Sequence, residues 1–338
     1  MSSALLTGMH RSGTSALARL IQGLGVDIGS NLLPAGGGNL YGHFEETAFI
    51  HFHDNLIARS FPQRASFCEW LPLANAEIAY TDADRAEAKS IWNAHLAKGG
   101  RAWKDPRTSL FLDLWTEILP EAKLVISLRH PYQVHRSLLR RGEPFLHVDY
   151  SASILGWTVY NQRILQVIST LPKDRFILVD VDLAFRESRK LTEFLAHFLD
   201  LPMTEKALAS IDPASFHFED EYREALQHFE IFFFEAEAIY RQLRQFDGLN
   251  PVPFVAPSKV TSSPIRSADA RLIEFEETYG WREQAKRMLV RSIAVDRQRT
   301  ADFYKHLGKV NEERDRLIDD LSQLNSLLER RVTELEDT

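Results

Sequence analysis

The run Gly8-Met9-His10-Arg11-Ser12-Gly13-Thr14-Ser15 gathers the groups that hold an anion. Gly13 lets the backbone approach a phosphate closely, Arg11 brings a fixed positive charge, and the hydroxyls of Ser12, Thr14 and Ser15 can donate to its oxygens. Arg129 stands at the end of the apolar run Ala122 to Leu128, and Ser137 follows in the segment that Pro131 opens. An arginine so placed can fork onto a phosphate while the serine offers it a hydroxyl. Together these residues describe binding of a phosphorylated ligand at two points.

The glycines of the loop, Gly8 and Gly13, have the separation found in G-x-x-x-x-G-K-[ST], the phosphate loop of nucleotide triphosphatases and kinases. Thr14 occupies the place of the lysine that such enzymes use on the β- and γ-phosphates, which weakens a kinase reading. The cation of this loop is Arg11, ahead of Ser-Gly-Thr.

His10-Arg11-Ser12-Gly13-Thr14-Ser15 resembles the 5′-phosphosulfate loop of sulfotransferases dependent on 3′-phosphoadenylyl sulfate (PAPS), where P-K-S-G-T-T is typical and Arg11 stands for the lysine. Arg129 and Ser137, in Leu128-Arg129-His130-Pro131-Tyr132-Gln133-Val134-His135-Arg136-Ser137, resemble the pair that holds the donor's 3′-phosphate in that family. Trp103-Lys104-Asp105-Pro106-Arg107 is similar to the K-D-P-R segment of its bacterial and carbohydrate-type members. The resemblance implies a donor site of His10, Arg11, Ser12, Gly13, Thr14, Ser15, Arg129 and Ser137. It implies that Lys104, with Arg11, neutralises the phosphosulfate as charge moves onto the leaving phosphate. It also implies a P-loop-like three-layer α/β fold with a central parallel sheet flanked by helices, PAPS as co-substrate, and no metal.

Pro106 stands where cytosolic members carry a histidine base, so another group must take the acceptor's proton. Bacterial and glycosaminoglycan-type members use a glutamate after the first helix, a region matched by Gly42-His43-Phe44-Glu45-Glu46. A carboxylate within hydrogen-bond reach of the acceptor suits that task. Glu45 is the first choice and His43 the reserve; Asp105 is a weaker base, better placed to hold Lys104 or Arg107 by an ion pair. Glu45 and Glu46 also fit as acids complementing a helix amino terminus. His51 and His53 fall on nearly opposite sides of a helix, and no metal site is expected there.

These groups need elements to hold them. Ser3 to Thr7 reads as a buried strand, and Leu17, Leu20, Ile21 and Leu24 as one face of the helix that follows the loop. A Gly- and Pro-bearing loop (Leu33 to Gly42) precedes a helical pattern from about Glu45 to Arg59. Thr81 and Asp84 form a capping box for a helix to Lys98, and RAWKDPR reads as an extended segment stopped by Pro106. Ala122 to Leu128 is continuously apolar and β-branched, as in a strand covered on both faces. A strand at Phe176 to Val181 precedes a helix at Glu187 to Leu199. Trp157 and Tyr160 fit the border of an acceptor pocket and, better, core packing, and Val179-Asp180-Val181-Asp182-Leu183 resembles a structural corner of the family. Strands alternating with helices place ligands at the carboxyl ends of the strands.

With 338 residues, 44% hydrophobic and 26% charged, the chain can bury a sizeable core, and its net charge of -7 argues against nucleic acid as partner. The single cysteine, Cys68, allows no internal disulfide. The amino terminus lacks an export signal, and Phe229 to Tyr240 reads as a core helix because glutamates interrupt it. A cytoplasmic protein without a transmembrane segment is expected. Residues 1–248 read as the catalytic domain, 249–267 as a Pro/Ser-rich linker and 268–338 as a helical region. Heptads from about Ala301, with arginine at Arg314 and Arg331, make its end a coiled coil that could join copies of the chain. The resemblance to bacterial members implies a carbohydrate, glycolipid or small metabolite as the acceptor. Two further readings are a P-loop-like kinase using ATP and Mg²⁺, and a noncatalytic coiled-coil assembly module.

Overall fold

A computed structural model of the chain describes residues 3–34, 42–65, 68–147, 151–210 and 233–252. It opens with β1 (Ala4–Thr7), α1 (Thr14–Gly23), α2 (Thr47–Ser60), β2 (Arg64–Ala65), β3 (Cys68–Pro72), α3 (Asp82–Ala97) and β4 (Ala102–Lys104). A 3-10 helix (Pro106–Phe111), α4 (Leu112–Ile118), β5 (Lys123–Leu128), α5 (Pro131–Arg141), α6 (Ala152–Ile168) and β6 (Phe176–Asp180) come next. After these come α7 (Val181–Ala184), α8 (Ser188–Phe198), α9 (Glu205–Ala209) and α10 (Phe234–Arg244). The helical region expected at 268–338 with its heptad end, most of the Pro/Ser-rich linker and of the Leu33 to Gly42 loop, and the start of the stretch from Phe229 lie outside the described residues.

β4, β1, β5 and β6 pair in that order, all parallel, and β2 with β3 forms a separate antiparallel pair. Side chains alternate across the sheet. Leu5, Leu124, Ile126 and Leu178 pack with Phe49, Trp92, Trp157 and Leu243 of α2, α3, α6 and α10. Leu6, Val125, Ile177 and Val179 pack instead with Leu17, Leu191 and Ala207 of α1, α8 and α9. The sheet is therefore covered on both faces, which explains why its strands read as unbroken apolar runs. Trp103 of β4 is fully buried and stacks on Phe49 with ring centroids 4.4 Å apart.

Local signals hold where they were strongest. Thr81 and Asp84 cap α3 reciprocally, and Pro131 opens α5. The extended segment at Trp103 is shorter than its sequence suggests, because Asp105 caps a 3-10 helix that Pro106 begins. α2 also starts later than its pattern implies. Phe44 has φ 58° and Glu46 is the extended N-cap, so Glu45 precedes the helix and does not belong to its first turn. Among the described residues no helix is long and apolar enough to cross a membrane.

Gly8 joins β1 to its loop with φ 133°, and a Cβ there would lie 2.2 Å from Ser127 Oγ and 2.3 Å from its carbonyl oxygen. Gly8→Ala is expected to cost about 3 kcal/mol, since neither strand can yield without breaking its ladder. Thermal denaturation should show a fall in Tm of roughly 5–10 °C.

Candidate active site

Because the strands are parallel, their carboxyl ends share one edge, with Leu6 beside Lys104 and Leu128 beside Asp180. β1 sits inside the sheet, with β4 on one side and β5 on the other. The chain thus switches direction across the sheet at β1, where α/β folds open a crevice for ligands.

The loop after β1 is anchored at its base. Thr7 Oγ1 lies 2.7 Å from Ser109 Oγ, Gly8 N donates to the same oxygen at 3.0 Å, and Ser127 Oγ donates to the Thr7 carbonyl at 3.2 Å. Arg11 (φ 68°) and Gly13 (φ 82°) are both left-handed. Left-handed residues in such turns aim amide N–H groups into a common concavity. For an arginine that conformation costs about 1–2 kcal/mol, a strain typical of ligand-holding turns. No side chain caps α1 behind it.

This loop meets the carboxyl end of β5. Arg11 Nε donates to Ser137 Oγ at 3.0 Å, and Arg129 Nη1 donates to the Arg11 carbonyl at 3.4 Å. The two motifs, far apart in sequence, are one structure. Arg129 Nε also holds both carboxylate oxygens of Asp182, at 2.9 and 3.2 Å, and Trp157 Nε1 donates to the Arg129 carbonyl at 3.0 Å. Burial, with the charges of Arg141 and Arg129, lowers the pKa of Arg11 below its usual value. Like charges crowded into a half-buried place are relieved by an anion.

A second cluster lies at the end of β4. The Lys104 side chain is only 2% exposed; its Nζ donates to Glu45 Oε1 at 2.6 Å and to the His43 carbonyl at 2.8 Å. Arg107 Nη1 donates to Glu45 Oε2 at 3.2 Å and to Asp105 Oδ1 at 3.1 Å. Arg107 Nε forms an ion pair with Asp54 Oδ1 at 2.7 Å without hydrogen-bond alignment. Burial works against the Arg107 charge, yet Asp105, Asp54 and Glu45 together hold its pKa above the usual value. Asp105 is buried completely. Burial pushes its carboxyl up, but Arg107 and the His53 hydrogen bond outweigh this and keep it well below the usual carboxylate range.

Each candidate can now be located. Glu45 faces both cations, whereas Glu46 Oε2 accepts from the amides of Ser30 and Asn31 at 3.0 Å each and so serves the fold. His43 joins the cluster through its backbone carbonyl. Asp105, with both oxygens engaged, positions Arg107 and has no contact with Lys104 among its hydrogen bonds. The His10 ring lies 4.0 Å from Trp70 and 6.1 Å from Tyr160 by centroids, and burial, then Arg107, keeps it neutral. Ser12 and Thr14 are buried in the loop, Trp157 and Tyr160 in the core. Among the described residues no group of three or more His, Cys, Asp or Glu could hold a metal ion.

Sequence reasoning missed Arg107 as a partner of Glu45, Asp182 as a partner of Arg129, and His53. The His53 Nδ1 lies 2.8 Å from Asp105 Oδ2, and its Nε2 accepts from Trp115 Nε1 at 2.8 Å. No sequence signal distinguishes it from its apolar neighbours on α2. Asp182 carried one, two residues past the end of β6.

Burial, then the Arg136 charge, lowers the pKa of His135 on α5 to about 4. The unfolded chain takes up a proton near pH 6.5 that the fold resists, so stability is full above that pH and declines toward pH 4. Between pH 7 and pH 5 this histidine should account for about 2 kcal/mol of lost stability. Urea unfolding of His135→Asn should show a correspondingly smaller drop.

No curated protein matches the sequence. The solved structures that align with it include a sulfotransferase domain from the Synechococcus PCC 7002 olefin synthase (20% identity, 82% of this chain and 94% of that one, TM-score 0.40); a sulfotransferase from Mycobacterium avium (14%, 74% and 78%, 0.47); and one from Alicyclobacillus acidocaldarius (18%, 72% and 95%, 0.41). A family model described as the sulfotransferase family matches residues 4–205. That match takes in the loop, Glu45, Lys104, Arg129 and Ser137 and covers more than half of the chain, which therefore belongs to the sulfotransferase family.

Proposed function

We propose that this sulfotransferase takes its sulfuryl group from PAPS and passes it directly, without a metal, to a hydroxyl or amine of a carbohydrate, glycolipid or small metabolite. The supporting observation is the junction of Arg11, Ser137 and Arg129 beside the amides of the loop, with Lys104 at the end of the strand neighbouring β1. Two anion-holding centres on one sheet edge fit a donor with a phosphosulfate at one end and a 3′-phosphate at the other.

PAPS brings an activated sulfuryl group on a phosphate that can leave. Arg129 and Ser137 hold the 3′-phosphate, while the loop amides, Arg11 and the hydroxyls of Ser12, Thr14 and Ser15 hold the 5′ end. Lys104 neutralises the bridging oxygen as the S–O bond to it breaks. Glu45 takes the acceptor's proton as the new S–O bond forms in line, with no covalent enzyme intermediate. The side-chain cations supply the positive charge that Mg²⁺ supplies in kinases. A single cysteine suits the reducing cytoplasm as the place of reaction.

Thermal denaturation with adenosine 3′,5′-bisphosphate tests the donor. At about one hundred times Kd the ligand should add roughly 2.7 kcal/mol of stability and raise Tm. A rise with ATP·Mg²⁺ alone would sink the proposal in favour of the kinase reading. With the donor established, labelled PAPS offered to a panel of sugars, glycolipids and small metabolites would identify the acceptor.

A further inference from the structure

Glu45 has two counter-ions, and they are held in different ways. Lys104 reaches it as a compact ammonium on a flexible stem, sharing its protons between Glu45 Oε1 and the His43 carbonyl. Arg107 is fixed from several sides. Its guanidinium meets Glu45, Asp105 and Asp54, and its own amide donates to Asp105 Oδ1 at 2.9 Å. Asp105 is in turn held by His53. Because His53 Nε2 accepts from Trp115 Nε1, its proton resides on Nδ1 and is donated to Asp105. The chain Trp115, His53, Asp105, Arg107 thus runs from the core on α4 and α2 to the carboxylate.

We propose that Arg107 is the positioning residue of the base: it holds the Glu45 side chain in place when Lys104 leaves Glu45 for the donor's 5′-phosphate. The inference rests on the PAPS reading above. In the free protein Lys104 and Glu45 occupy one another, so neither is available for its task. Lys104 cannot serve a leaving phosphate while its charge is spent on Glu45. Glu45 cannot accept a proton through an oxygen that Lys104 covers. Donor entry separates the pair, and a carboxylate so deeply buried is costly without another cation beside it. Arg107, already bonded to the opposite oxygen, is that cation. Its planar fork can serve Glu45 and Asp105 together, as a lysine could not.

Calorimetric titration with adenosine 3′,5′-bisphosphate tests this without an acceptor. Glu45→Gln frees Lys104 and should tighten binding by roughly three- to tenfold, a gain that should vanish when Lys104→Met is added. Arg107→Met leaves Lys104 as the only counter-ion of Glu45 and should weaken binding roughly tenfold. Adding Glu45→Gln to Arg107→Met should restore affinity to within about threefold of Glu45→Gln alone, a rescue that a residue touching the donor or merely supporting the fold would not show. Binding that stays weak in the double variant, or that is unchanged in Arg107→Met, overturns the assignment. If circular dichroism shows Arg107→Met unfolded, the Lys104 arm decides: an equal gain from Glu45→Gln with and without Lys104 overturns the exchange. Absence of bisphosphate binding to the unaltered protein would instead remove the PAPS reading itself.

Discussion

Replacing Glu45 with glutamine is expected to lower kcat by roughly 10²–10⁴-fold and to leave the donor KM no higher than before. Glutamine preserves the shape and can still accept from Arg107, so the loss isolates proton transfer. The contacts of Glu45 explain why the effect falls on kcat. Its oxygens bond to Lys104 and Arg107, not to the loop that holds the donor's phosphates in the proposed arrangement. Initial rates with labelled PAPS and an acceptor from the panel measure both constants. Unchanged turnover would move the base elsewhere, with His43 the next residue to test.

Arg129→Ala should raise the donor KM by about 10²-fold or more while changing kcat far less. In the proposed arrangement, part of that cost is the lost fork to the 3′-phosphate. The remainder comes from Asp182, which in the native site is neutralised by Arg129 at 2.9 Å. Without the arginine its carboxylate stands unpaired beside the proposed place of the 3′-phosphate. Burial already pushes the Asp182 carboxyl up, with Arg129 opposing, so the group is poised to take a proton once its partner is gone. Arg129→Ala with Asp182→Asn should therefore bind bisphosphate more tightly than Arg129→Ala alone, by roughly three- to tenfold. Equal affinities in the two variants would mean that Asp182 does not face the phosphate.

The glycine loop after β1 and the strand end at Arg129 were legible because each is local. A glycine loop between strand and helix, or an arginine ending a strand with a serine on the next helix, is a short pattern whose chemistry is carried by neighbouring residues. The same holds for the Thr81–Asp84 cap and for Pro131. Glu45 and Glu46 show the limit. Adjacent and identical, they looked equally suited to a helix amino terminus, and only the left-handed turn at Phe44 and the positions of Lys104 and Arg107 assign one to the site and the other to the loop at Ser30.

His53 shows the same limit from the other side. Its spacing with Phe49, Phe52 and Leu56 is that of a core face, and it is fully buried, yet it donates a hydrogen bond to Asp105 across 52 positions of sequence. Such a bond has no local signature, since partner identity depends on how α2 packs against the 3-10 helix. By itself, the sequence determined the parallel α/β scaffold, the glycine turn between β1 and α1 and the strand end at Arg129 followed by the helix that carries Ser137, all of which follow from backbone preferences and periodicity over a few residues. The tertiary structure decided that Arg11 bonds Ser137, that Arg129 is balanced by Asp182, and that Glu45 stands between Lys104 and Arg107. Buried charges are stable only where a partner is brought to them, and that pairing is set by the packing of distant elements.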